Sequence, residues 1–403
     1  MAAANTVETT TSLALARRGM YPAPRRCMLL GPLLFAAQTS VASFGSNPGA
    51  LEMYEHVPTS LPASAPLVVV MHGCTQTASS MESAGWDTLA DQYGFVVAYP
   101  QQQSSNNIES CFNWYDGATD DARNAGEAES IAQMVQYEIT THGVDPARVF
   151  VTGFSAGAAM TAVMAATYPD VFAAASIMSG LPYECATDET TAYSCMNPGV
   201  TKAADAWGAL VRAAYTSSAY PRVQIWHGSS DTTVAPMNEQ QLALQWTDAL
   251  GTTMTATSQS MVGSAALTVY GNDAVETYLV SGMDHAVAIG TDGSIACPGS
   301  ATLYFEDHGV CSTVRAAQFF GIVPGDGSGS GSGGNTGSGG GGGTGGGGDG
   351  GGGGSDAGGA TSGGGGGCSA VGGSGWGAFA IAAIATLRAL ALRRRDKLPA
   401  CDR

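Results

Sequence analysis

The chain has 403 residues, 57 of them Gly, with 16 Lys and Arg against 33 Asp and Glu and a formal net charge of −17. Most of the glycines follow Val323, and the stretch from Phe44 to that point holds six Lys and Arg against 27 Asp and Glu. A field of that sign repels phosphate backbones, which excludes nucleic acid as a partner and favours a neutral substrate over an anionic one.

Residues 1–43 read as an export signal. Arg25-Arg26 precede an apolar run over 27–37, and Ser40-Val41-Ala42 offers small residues for cleavage. That run is too short to span a bilayer. Residues 44–323 then alternate between two patterns, in a length that suits one large domain. Apolar runs bounded by turn signals predict strands over 51–57, 67–71, 95–99, 149–152, 173–178, 223–226 and 275–280. Helical spacing predicts helices over 81–93, 127–140, 155–167, 236–250 and 312–320. Strands that are apolar throughout need cover on both faces, so the expected fold class is α/β: a mostly parallel, doubly wound sheet with helices on either side. Ligands of such sheets bind at the carboxyl ends of the strands.

Residues 324–367 are Gly with Ser, Thr, Asn, Ala and Asp, and lack the apolar residues a core requires. A disordered linker is expected there. Residues 368–403 open with Cys368, run through an apolar stretch over 376–387 interrupted by Arg388, and carry Arg393-Arg394-Arg395. An apolar segment followed by arginines suggests attachment to a membrane or cell surface, with Arg388 arguing against a permanent span. This tail resembles the C-terminal sorting signals of surface proteins in myxobacteria, which implies processing near Cys368.

Six cysteines fall in the body: Cys74, Cys111, Cys185, Cys195, Cys297 and Cys311. There is no Cys-x-x-Cys and no His pairing at metal spacing, so disulfides in an exported protein are expected rather than a metal site. Proximity along the chain pairs Cys185 with Cys195 and Cys297 with Cys311, which leaves Cys74 for Cys111.

The chemistry centres on Gly153-Phe154-Ser155-Ala156-Gly157, set between a predicted strand and a predicted helix. That context makes it a nucleophile elbow: a turn so tight that Ser155 is strained and only glycines let strand and helix pass. The Ala156 amide would then face a developing oxyanion. Serine needs a base and the base an orienting acid, in chain order Ser, Asp or Glu, His. His227, His285 and His308 follow the serine; His285, in the loop after the strand over 275–280, is the best placed. Asp231, after the strand over 223–226, is the preferred acid, with Asp170 and Asp284 as rivals. The second oxyanion donor should lie after an earlier strand, where His72-Gly73-Cys74 offers the Cys74 amide. His72 is read as a substrate-side residue that staples this loop, and Trp114 and Tyr115 as exposed aromatics against which substrate could lie.

His72-Gly73-Cys74-Thr75-Gln76, Cys111-Phe112-Asn113-Trp114, Gly126-Glu127-Ala128-Glu129-Ser130, Gly153-Phe154-Ser155-Ala156-Gly157, Trp226-His227-Gly228, Gln245-Trp246 and Gly282-Met283-Asp284-His285 together resemble extracellular polyhydroxybutyrate depolymerases. Feruloyl and acetylxylan esterases share much of this pattern. The resemblance spans residues 51–322 and implies a secreted serine esterase with an α/β-hydrolase fold and Ser155, Asp231 and His285 as triad. It further implies a polyester or esterified polysaccharide as substrate, and neither a metal nor an organic cofactor. Asp284 departs from the family, which has a small residue before the histidine. No separate polymer-binding module is legible after Ile322.

Overall fold

The most apolar strands set the layers. β3 (Leu67–Met71), β5 (Val149–Phe154) and β6 (Ala174–Met178) are buried at every position. The computed structural model describes residues 38–325 except 118 and 294, and builds these strands into the middle of a 10-stranded sheet. Its order is β1 (Thr39–Val41), β2 (Glu52–His56), β4 (Val96–Gln101), β3, β5, β6, β7 (Arg222–Gly228), β10 (Val275–Val280), β9 (Ala265–Tyr270) and β8 (Ala256–Val262). From β4 across to β10 neighbouring strands are parallel; antiparallel pairs close both edges.

Successive side chains of a strand point to opposite faces. Leu67, Val69 and Met71 pack with α2 (Gly126–His142), α3 (Ala156–Thr167), α5 (Ala204–Ala214) and α6 (Met237–Ala249). Val68 and Val70 pack with α1 (Trp86–Tyr93) and α7 (Ser312–Phe319) on the other face. The doubly wound sheet expected from the apolar runs is thus present. Since β4 lies on one side of β3 and β5 on the other, the winding reverses between β3 and β5, and a crevice opens there at their carboxyl ends.

The structure departs from the sequence reading in several places. The helix expected over 81–93 is two: a 3-10 helix (Ala78–Ala84), then α1, separated by Gly85 at φ 87. An added Cβ on Gly85 would meet Pro298 at 2.6 Å, so glycine is required there on both counts. α4 (Glu189–Met196) and α5 were not anticipated, nor were β8 and β9. α5 carries Gly208 in its middle, a helix-weakening residue, because the Asp248 carboxylate of α6 occupies the space a Cβ would need. β8 is exposed at nearly every position and gathers its polar residues in one run, Thr257 to Ser260, so it shows no alternation to read. β1 falls within the stretch read as leader, yet pairs Thr39 with Glu55 and Val41 with Met53.

The bridges join the pairs suggested by spacing: Cys74–Cys111, Cys185–Cys195 and Cys297–Cys311, at Cα separations of 4.2, 5.9 and 5.5 Å. The chain divides into two units, Met1–Gly333 and Gly334–Arg403, and all described residues belong to the first. The stretch read as an export signal, up to residue 37, nearly all of the expected linker and the C-terminal segment expected to attach to a surface lie outside the described residues. Among the described residues no helix is long and apolar enough to cross a membrane.

Candidate active site

β5 ends in Phe154 and α3 starts at Ala156, so the whole turn is made at Ser155, which sits at φ 55, ψ −118. Such a backbone persists only where its surroundings over-determine it. Here an added Cβ on Gly153 would lie 2.3 Å from the Gly157 carbonyl oxygen, and one on Gly157 would lie 2.5 Å from that of His72. Strand, helix and the loop after β3 pass at backbone contact. The Ser155 N–H is held by the Met178 carbonyl at 3.0 Å, leaving the hydroxyl free to face the crevice.

Two further loops converge on that hydroxyl. His285 follows β10; its Nε2 lies 2.8 Å from Ser155 Oγ and its Nδ1 lies 2.7 Å from Asp231 Oδ2. Asp231 follows β7, and its other oxygen accepts the Thr233 and Val234 N–H groups, each at 2.9 Å. The two loops are stitched together: the Ser230 N–H donates to the Met283 carbonyl and the Gly282 N–H to Ser229 Oγ. Beyond His285, β11 (Val287–Ala288) pairs with β12 (Phe305–Glu306), and Cys297–Cys311 ties that segment down. The imidazole itself lies 4.8 Å from the Phe154 ring and 6.4 Å from that of Tyr304.

Burial alone would raise the Asp231 carboxyl, but the hydrogen bond from His285, together with the two histidines and the Val234 amide, holds it below the usual carboxylate range. An ionised Asp231 accepts from His285 Nδ1–H, which leaves Nε2 as the acceptor for the Ser155 hydroxyl. Ser155 and the His285 side chain are each only 9% exposed, so this line of hydrogen bonds is shielded from most water. A hydroxyl, an imidazole and a buried carboxylate so connected can deliver a serine oxygen to a carbonyl.

The loop after β3 completes the crevice. Its Gly73 leaves room for the nucleophile: a Cβ there would reach 3.2 Å from Ser155 Cβ and 3.0 Å from Phe154. Gln76 Oε1 accepts the Gly73 N–H at 2.8 Å, and the bridge to Cys111 fastens the next residue. Among the described residues, none accepts a hydrogen bond from the Cys74 or Ala156 N–H.

The anticipated substrate contacts fare differently. His72 is fully buried, accepting the Gln102 N–H at Nε2 and donating Nδ1–H to the Gly73 carbonyl, while burial lowers its imidazole to about 4. It staples the loop from beneath and offers substrate no surface. Trp114, 5% exposed, is a core residue edge-on to Tyr115, which is half-buried. The aromatic expected to lie open beside the crevice is thus internal, packed with Phe112 in the core against which Cys74 and Cys111 lie. Asp170 binds Arg123, and Asp284 accepts the Thr232 N–H at 3.4 Å, so neither takes the place of Asp231.

Residues to which the sequence reading gave no site role lie beside the loop after β3. A cleft of ≈ 300 Å³ lies between Thr75 and Gln76 on one wall and Leu303 and Tyr304 on the other, with Leu303 71% exposed. Tyr304 sits at φ 68, which turns its ring toward His285. No spacing rule places 304 beside 285; the link is the pairing of β11 with β12.

The Esterase PHB depolymerase family matches residues 53–269. Poly(3-hydroxyalkanoate) depolymerase C of Paucimonas lemoignei is 50% identical over 295 residues, 71% of this chain and 70% of that protein. Feruloyl esterase B of Talaromyces funiculosus is 36% identical over 279 residues, 66% of this chain and 77% of its own length. Among solved structures, the acetyl xylan esterase from Aspergillus awamori superposes with a TM-score of 0.62 at 31% identity, covering 71% of this chain and 100% of that one. With that match and that identity, the chain belongs to the Esterase PHB depolymerase family and is a serine carboxylic ester hydrolase with an α/β-hydrolase fold.

Proposed function

We propose that Ser155, His285 and Asp231 form the catalytic triad of a secreted depolymerase of short-chain polyhydroxyalkanoates. The observation that carries the catalytic reading is the unbroken line from Ser155 Oγ through both nitrogens of His285 to Asp231, at 2.8 and 2.7 Å. His285 takes the hydroxyl proton as Ser155 attacks the ester carbonyl, and the imidazolium is stabilised by Asp231. The Ala156 and Cys74 amides receive the oxyanion. The proton then passes to the leaving alkoxide, and water repeats the sequence to free the acid. The identity to the Paucimonas lemoignei depolymerase supports a polyester of 3-hydroxy acids, and the uncharged cleft walls suit it.

A second reading, hydrolysis of feruloyl or acetyl esters on plant polysaccharide, is favoured by the similarity to the acetyl xylan esterase structure over its whole length. Three disulfides and the leader-like 1–43 support export; we assign catalysis to 44–323, a spacer to 324–367 and surface attachment to 368–403. Soluble acid released from amorphous polyhydroxybutyrate, set against ferulate and acetate released from xylan, decides between the substrates. Faster release from xylan overturns the first reading. Ser155→Ala should abolish turnover on every ester while keeping the fold, and wild-type rates in that variant would remove the triad altogether.

A further inference from the structure

At the sheet edge opposite the crevice, a second group of side chains converges. Glu138 and His142 stand one turn apart near the end of α2, and Glu55 reaches them from β2. β2 runs antiparallel to β4, so Glu55 lies toward the amino ends of the parallel strands, whereas Ser155 follows a carboxyl end. One ligand atom from each of the three lies within 4.8 Å of the others. His142 Nε2 is 3.1 Å from Glu55 Oε2 and 3.7 Å from Glu138 Oε2. A tetrahedral ion with bonds of about 2.0–2.1 Å holds its ligands about 3.3 Å apart, between those two values.

Glu138 supplies an independent sign. Its side chain is 0% exposed, and among the described residues no N–H or O–H donor reaches either oxygen within hydrogen-bond geometry; its near neighbours are the other two members of the group, His142 Nε2 at 3.7 Å and the Glu55 carboxyl. A carboxylate is not left bare in a protein interior without a proton or a cation to neutralise it. We infer that Glu55, Glu138 and His142 form a structural site for a divalent transition cation of the Zn²⁺ type, with its open position toward solvent past Glu55 and His142. One imidazole with two carboxylates suits such an ion better than Ca²⁺ or Mg²⁺, which take oxygen. The sequence reading looked for His pairs and Cys-x-x-Cys, and so passed over Glu138-x-x-x-His142, whose third donor comes from a distant strand. The bound ion would clamp the β1–β2 edge to the last turn of α2.

The test uses the full chain, stripped with a chelator and titrated with ZnCl₂ by calorimetry at neutral pH, beside His142→Ala and Glu138→Gln. One Zn²⁺ per chain should bind at this site and raise the melting temperature by several degrees. Each variant should weaken binding more than about tenfold and lose that rise. Turnover of a p-nitrophenyl ester, which depends on the carboxyl ends of the central strands, should be unchanged in His142→Ala. Should Glu138→Gln fail to fold, Glu55→Gln, at the partly exposed side of the group, replaces it. Zinc binding that is absent, or undiminished in His142→Ala, overturns the site. Glu138→Gln that melts higher while the wild type ignores zinc shows that the group holds only a proton.

Discussion

At Ser155 the backbone, rather than the hydroxyl, is the costly part: a non-glycine residue at φ 55, ψ −118 is tolerated because Gly153, Gly157 and the His72 carbonyl crowd the turn from every side. His285 is oriented as strictly, by an acid whose second oxygen is fixed by two amides. Asp231→Asn keeps the shape but presents an N–H to Nδ1, or forces the tautomer whose Nε2 carries the proton. The kcat on a soluble ester should fall by about 10⁴ with KM little changed and the melting curve preserved, as measured by steady-state kinetics and circular dichroism. These three residues were legible because each follows a strand whose apolar run is unmistakable. Gln76 and Tyr304 were not, since what brings them to the crevice is a bond to the Gly73 amide and a two-residue strand pair. His72 staples its loop as read, but with both ring nitrogens taken and the ring buried it offers no surface on the substrate side.

The elements divide into a rigid sheet and loops that must be held to it. The loop after β3 carries the expected oxyanion donor and is fastened by Cys74–Cys111, which closes 37 residues of chain. The double variant Cys74→Ser/Cys111→Ser should lower kcat on a soluble ester by about 10²-fold, while the central parallel strands keep their far-ultraviolet signal. Equal losses of activity and of folded signal would show the bridge to be a fold staple instead. The parallel strands were readable because burial on both faces demands runs such as Leu-Val-Val-Val-Met. β8 and α5 were not: an edge strand that faces water has no apolar period, and a helix that admits a neighbour's carboxylate at Gly208 has traded propensity for fit.

For the molecule as a whole, acidity is the dominant electrostatic fact, and part of it is internal. Asp121 is 1% exposed, and among the described residues neither of its oxygens has a hydrogen-bond partner. Burial first, then the negative neighbours Glu184, Asp116 and Asp120, push its carboxyl from the ordinary 3.8 up to about 8. The folded chain therefore keeps a proton that the unfolded chain gives up. Its contribution is fully present below 3.8 and is lost as the pH climbs toward about 8. The melting temperature should decline between about pH 5 and about pH 8, and Asp121→Asn, which has nothing to ionise, should flatten that decline. A steeper decline in the variant would mean that the group is ionised in the fold.

The sheet ends on one side at a strand of three residues, Thr39–Val41, drawn from the stretch that also offers the expected cleavage point. A cut upstream of residue 39 would leave that strand in place as a seal over β2. A cut after Ala42 would remove it and bare a row of unpaired amides and carbonyls, the template from which strand-to-strand aggregation grows. The choice of one scissile bond would then decide whether the released chain stays solitary or recruits copies of itself.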